Sequence, residues 1–199
     1  CAAALAQNDP VNLIADPSGE LDIPYGEQRT IEFTCPWDGY KVHTVLDFQA
    51  RIDTPGRAKL TGGPCPLLTI ELNGDALDGA RLLNKPLKSA REHSSECVWY
   101  ERPKWGLVYA GAWDPPANEY TPKTGSPTRF VLDVSDFLKA KGKNKLVFTY
   151  CDCMVNDEKT GGENVTLSKY CHRQGHGDAT LMFGEMVIRP RKDADVFKE

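Results

Sequence analysis

The chain has 199 residues, 40% of them apolar and 26% charged, which is enough to bury one core and too apolar for wholesale disorder. With 24 basic against 28 acidic residues the net charge is −4, and no long basic block is present, so phosphate neutralisation is excluded as the main business of the surface and a nucleic-acid partner is not expected. The longest purely apolar run, Cys1 to Ala6, is far shorter than the roughly 20 residues of a membrane-spanning helix.

In chain order, Cys1 followed by Ala2, Ala3 and Ala4 has the form of a lipidated first residue trailed by small ones. Ala4-Leu5-Ala6 before Gln7-Asn8-Asp9-Pro10 has the small-x-small form of a signal-peptidase site. Both readings make residues 1–9 a lipoprotein anchor or a leader remnant and place the protein outside the cytoplasm, in secreted, surface or periplasmic form. An arbitrary chain start is the plain alternative.

Thr30-Ile31-Glu32-Phe33-Thr34 and Leu46 to Ile52 alternate polar and apolar, the pattern of strands with one wet face. Leu68, Ile70 and Leu72 share a face in the run Leu67 to Leu72, which ends on the turn signal Asn73-Gly74 before the chain resumes at Arg81 to Leu83. Further strands are expected at Leu107 to Ala112, Phe130 to Val134, Lys145 to Tyr150, Val165 to Lys169 and Thr180 to Ile188. Helical signal is confined to Ser135 to Lys141, where Ser135 can cap one turn that Gly142 ends. The 17 glycines and 14 prolines fall largely between strand candidates, as an all-β fold requires. The expectation is one domain over residues 10–190, built of eight to nine strands, with 191–199 a charged tail.

Seven cysteines, Cys1, Cys35, Cys65, Cys97, Cys151, Cys153 and Cys171, lie in or beside expected loops and none makes a CxxC pair. Scattered single cysteines in a loop-rich chain read as disulfide partners in an oxidising compartment. Excluding Cys1, six cysteines leave every pairing open. Cys151, Cys153 and Cys171 with His172 or His176 could alternatively ligate zinc, but thiolates in such a compartment pair first and Cys-x-Cys is cramped for a shared metal.

The segment Arg129-Phe-Val-Leu-Asp-Val-Ser-Asp-Phe-Leu-Lys-Ala-Lys-Gly-Lys-Asn-Lys-Leu-Val-Phe-Thr-Tyr150 reads strand, short turn, Gly-Asn turn, strand. It resembles a stretch of galactose-binding-like jelly-roll domains, as found in carbohydrate-binding modules and in accessory sandwiches of glycoside hydrolases. Leu67-Leu-Thr-Ile-Glu-Leu-Asn-Gly74 is similar to the strand and turn that precede the ligand-side loops of that fold. Independently of the resemblance, Asn144 suits a left-handed turn position that returns Leu146, Phe148 and Tyr150 to the core face. The resemblance implies a single jelly-roll β-sandwich, which the cysteine pattern would stabilise with disulfides, on a scaffold that hosts many functions.

Three groups of residues carry candidate chemistry. Between Val98 and Tyr120 stand Trp99, Tyr100, Trp105, Tyr109, Trp113 and Tyr120, with Arg102, Asp114 and Asn118 among them. Sugars present flat apolar C–H faces ringed by hydroxyls, so aromatic platforms beside polar side chains suit them. Trp105 and Trp113 are the expected exposed platforms; the alternative is that the aromatics cover the sandwich end and pin a long proline-rich loop. His172 and Arg173, on a glycine-containing stretch, are further ligand contacts. Finally, the resemblance implies a structural calcium between an early loop and the last strand, for which Glu20, Asp22 and Glu27 are available early. Glu185, on the face of Leu181, Phe183 and Val187, is available late.

No nucleophile elbow, HExxH pair or phosphate-cradling glycine loop is present. The expected function is therefore exported, non-catalytic carbohydrate binding. The alternatives are an interaction subunit of an envelope or extracellular assembly, with a protein partner on the aromatic loop, and a polysaccharide lyase or glycosidase built on a β-sandwich.

Overall fold

A computed structural model describes residues 9–14, 21–24, 26–53, 67–88, 98–101, 104–107, 112–114, 119–121, 128–151 and 180–198. The strands are β1 (Val11–Asn12), β2 (Leu21–Pro24), β3 (Gln28–Thr34), β4 (Thr44–Asp53), β5 (Leu67–Leu72), β6 (Asp75–Ala76), β7 (Leu87–Lys88), β8 (Val98–Glu101), β9 (Lys104–Leu107), β10 (Ala112–Asp114), β11 (Glu119–Thr121), β12 (Thr128–Asp133), β13 (Lys143–Cys151) and β14 (Thr180–Pro190). A one-turn helix, α1 (Gly39–Val42), precedes β4.

One sheet has the order β1-β14-β4-β12, with β2 also paired to β14; the other has the order β3-β13-β5-β9-β8-β7, with β6 on β5. All pairs are antiparallel except β7 with β8. The two sheets share one apolar core, an arrangement compatible with a β-sandwich. Phe48 of β4 stacks on Phe130 of β12 at 4.8 Å. Across the layers Phe148 of β13 meets Phe48 at 5.5 Å and Phe183 of β14 at 4.7 Å.

The alternation in Leu46, Phe48 and Ala50 and in Leu68, Ile70 and Leu72 places those side chains in this core. Asn73 (φ 58°) and Gly74 (φ 94°) form the two-residue turn between β5 and β6, whose pairing puts Leu72 opposite Asp75. The left-handed residue of the 139–144 turn is Lys141 (φ 54°), not Asn144. Asn144 is a buried hub instead: its Oδ1 accepts from the Lys139 amide and from Asn73 Nδ2, and its Nδ2 donates to the Lys139 and Gly142 carbonyls. It thereby ties the β5–β6 turn to the turn that precedes β13.

Residues 135–141 form turns rather than a helix. Asp133, not Ser135, makes the local cap, accepting from the Ser135 amide and hydroxyl. Arg81 ends a 3₁₀ turn (Gly79–Arg81) instead of opening a strand. The next residues close the free edge of β12: the Leu83 amide donates to the Val131 carbonyl, and the Asn84 carboxamide accepts from the Val131 amide while donating to the Arg129 carbonyl. Asn84 thus stands in for the peptide group of a neighbouring strand. The expected strand at 165–169 lies outside the described residues.

Candidate functional site

Of the aromatic segment, Trp105 lies on β9 of the larger sheet, and Trp113 and Tyr120 lie on the separate β10–β11 pair. β9 pairs with β8 and with the start of β5, and this register turns Trp105 inward. Its indole is fully buried, its Nε1 donates to the Leu77 carbonyl at 2.8 Å, and its ring meets Phe130 edge-on at 6.1 Å and Tyr100 at 5.0 Å. A ring with no exposed face cannot stack on a sugar. The expectation of Trp105 as a platform is therefore corrected: Trp105 is a core residue whose one polar atom is satisfied internally.

Trp113 and Tyr120 sit elsewhere. β10 and β11 form a two-stranded ribbon that is hydrogen-bonded to neither main sheet, and its register puts Trp113 directly opposite Tyr120, with Asp114 opposite Glu119 in the next pair. Cross-strand partners of an antiparallel pair lie on one face of the ribbon. Arg102, Tyr109, Asn118, His172 and Arg173 lie outside the described residues.

The cation expectation rested on Glu185 sharing the face of Leu181 and Phe183. The register of β14 with β4 shifts between Phe183 and Met186, which puts Met186 and Ile188 in the core and leaves Glu185 exposed. Asp22 is exposed on β2, Glu27 accepts from Arg29 at 2.8 Å, and Glu20 lies outside the described residues. Among the described residues no group of His, Cys, Asp and Glu side chains gathers into a metal site.

Cys35 was expected to enter a disulfide and is instead a free thiol, fully buried, with Sγ 3.4 Å from the Trp37 carbonyl oxygen. Burial raises its pKa and makes it a packed, poorly nucleophilic thiol. Cys151 closes β13, and Cys1, Cys65, Cys97, Cys153 and Cys171 lie outside the described residues.

Sequence reasoning missed the densest polar feature, a chain of four charges on the side of the β1-β14-β4-β12 sheet that faces away from the core. Arg129 donates through Nε and Nη2 to the two Asp47 oxygens at 2.8 and 2.6 Å. Arg189 reaches Asp47 Oδ2 with Nε and Nη2, both at 2.9 Å. It then holds Asp195 in a parallel two-bond fork, Nη1 to Oδ2 and Nη2 to Oδ1, each 2.7 Å. Arg189, Asp47 and Asp195 are only 6%, 8% and 7% exposed. Burial would raise the Asp47 pKa, but hydrogen bonds and charge from both arginines outweigh it and hold the carboxyl below its ordinary range. The Arg189 fork does the same for Asp195. The only sequence signal was an Asp on the wet face of an alternating strand, which ordinarily means solvent.

Among the described residues no helix is long and apolar enough to cross a membrane. The sequence matches no known protein family, and no curated protein resembles it closely enough to count as a relative.

Proposed function

We propose that this chain is an extracytoplasmic, non-catalytic carbohydrate-binding domain of the galactose-binding-like jelly-roll type, with its ligand site on the β10–β11 ribbon. The observation that carries the reading is the register that sets Trp113 opposite Tyr120 on a ribbon outside both main sheets. Two neighbouring aromatic residues match the extent of a pyranose face, while Asp114 and Glu119, one step along the ribbon, belong to its opposite face by strand alternation. Arg102, Tyr109, Asn118, His172 and Arg173 join the proposal on their chemistry and their closeness in sequence to the ribbon or to a glycine-containing stretch. Bridges among Cys65, Cys97, Cys151, Cys153 and Cys171 belong to the same exported reading.

Native gels cast with a panel of polysaccharides test the proposal. At least one polysaccharide should retard the wild-type chain, and Trp113→Ala or Tyr120→Ala should weaken retention about tenfold, equivalent to about 1.4 kcal/mol. Equal retention of both variants, or no retention of the wild type on any polysaccharide, overturns it.

A further inference from the structure

The sheet face that carries the four charges is roofed by the chain's own C-terminal segment, residues 191–198. Three contacts hold this strap: the Arg191 amide donates to the His43 carbonyl at 2.7 Å, the Phe197 amide donates to the Leu83 carbonyl at 2.7 Å, and Asp195 sits in the Arg189 fork. Arg191 adds a looser ion pair with Asp133 at 3.6 Å. Asp195 is the one buried residue of the strap; its apolar members Val196 and Phe197 remain 40% and 47% exposed. The strap is therefore held by charge and hydrogen bonds rather than by apolar burial.

What lies beneath it is built without its help. Asp47 fixes Arg189 through two hydrogen bonds, Arg129 fixes Asp47 through two more, and the three residues come from adjacent strands β14, β4 and β12. Arg189 thus presents a fork already oriented for a carboxylate, the geometry in which a guanidinium recognises one. The charges that face Asp195 from the sheet are Arg189, Arg129 and Asp47. Without Asp195 that set holds two guanidiniums against one carboxylate, a net positive site whose Arg189 fork favours an anion.

We propose that this Arg189–Arg129 socket is a docking site for an acidic peptide segment, and that the chain's own strap fills it in cis through Asp195. The ligand it selects is a peptide aspartate held by its own upstream amide, as the Lys192 amide holds Asp195 at 2.7 Å. The carbonyls of His43 and Leu83 are the acceptors that such a peptide's backbone amides use. A tethered occupant acts at an effective concentration on the order of millimolar, so a peptide in trans competes poorly until the cis contact is weakened.

The test uses the full chain, as wild type and as Asp195→Asn, with a fluorescein-labelled peptide of residues 190–199 followed by polarisation. The Asp195→Asn chain should bind the peptide at least tenfold more tightly than wild type, and a peptide carrying the same Asp195→Asn change should lose that binding. Equal binding by both chains, no binding by the folded variant, or undiminished binding of the substituted peptide overturns the proposal. Should the variant chain fail to fold, hydrogen exchange on the wild type decides. Asp195 and Phe197 amides exchanging at least tenfold faster than those of Phe48 and Phe148 support a separable strap. Equal protection means the strap leaves only with the whole fold, and the proposal fails.

Discussion

Replacing Asp47 by Asn removes one charge from the centre of the four-charge chain while keeping the side chain's shape. Asp47 accepts four hydrogen bonds, two from Arg129 and two from Arg189. In the variant one oxygen becomes an NH₂ group that points donors at donors, and Arg189, only 6% exposed, loses half of its charge compensation. Removing one partner of a buried ion pair costs about 3–5 kcal/mol, because the remaining charge stays out of water. Arg129 lies partly in solvent and recovers hydration, so the lower part of that range, about 3 kcal/mol, is expected. Urea unfolding at pH 7 should show this as a lower midpoint with an unchanged slope. The pH dependence supplies the sharper check. The folded pKa values of Asp47 and Asp195 lie below their unfolded values, so the unfolded chain binds more protons and stability rises with pH across that window. The contribution is complete above the ordinary carboxylate range, near pH 4–5, and is lost as pH falls through the depressed folded values. Asp47→Asn lacks one of the two groups, so its stability should fall less steeply in acid and its deficit against wild type should shrink as pH falls below the ordinary carboxylate range. A deficit below about 1 kcal/mol at pH 7, or one that stays constant into acid, refutes the reasoning.

Two further perturbations probe the core and the turn hub. Trp105→Ala should destabilise the fold by about 3–5 kcal/mol, measured by urea unfolding, because it empties a fully buried site and leaves the Leu77 carbonyl without its donor; a loss under about 1 kcal/mol would return Trp105 to the surface. Asn144→Ala should cost about 2–3 kcal/mol and should speed amide exchange at Lys139 and Lys145 specifically, since Lys139 bonds Asn144 directly and Lys145 bonds Asn73, which Asn144 anchors.

The sequence-to-structure comparison turns on what period-2 reading measures. In β4 and β5 alternation states correctly which side chains meet the core, because Leu46, Phe48 and Ala50 in one strand and Leu68, Ile70 and Leu72 in the other make an unbroken apolar row. In β14 the same reading fails after Phe183: a single bulge residue exchanges the faces, and what had looked like a carboxylate pointing inward stands in solvent. Gly184 was the available sign, since a glycine inside a strand often marks a bulge. Trp105 was misread for a different reason. Its proline-flanked stretch has loop composition, but β9 completes the edge of β5, and only that long-range pairing turns the ring inward.

The charge chain lies beyond local reading altogether. Asp47, Arg129, Arg189 and Asp195 each occupy a position whose local pattern says solvent, and each is correct for its own strand: all three sheet members do face away from the core. What closes them off is a segment the sequence marks only as a charged tail, carrying the one acid that completes the set. Val45 and Val131, outside the main core yet 0% and 1% exposed, show that parts of this outer face are covered as well. A run of alternating residues reveals which face is apolar; it says nothing about whether the polar face has a cover. When a polar face holds arginines and aspartates in near balance, the missing charge of the set is therefore a signal to look for in a charged terminal segment, and here that charge is Asp195.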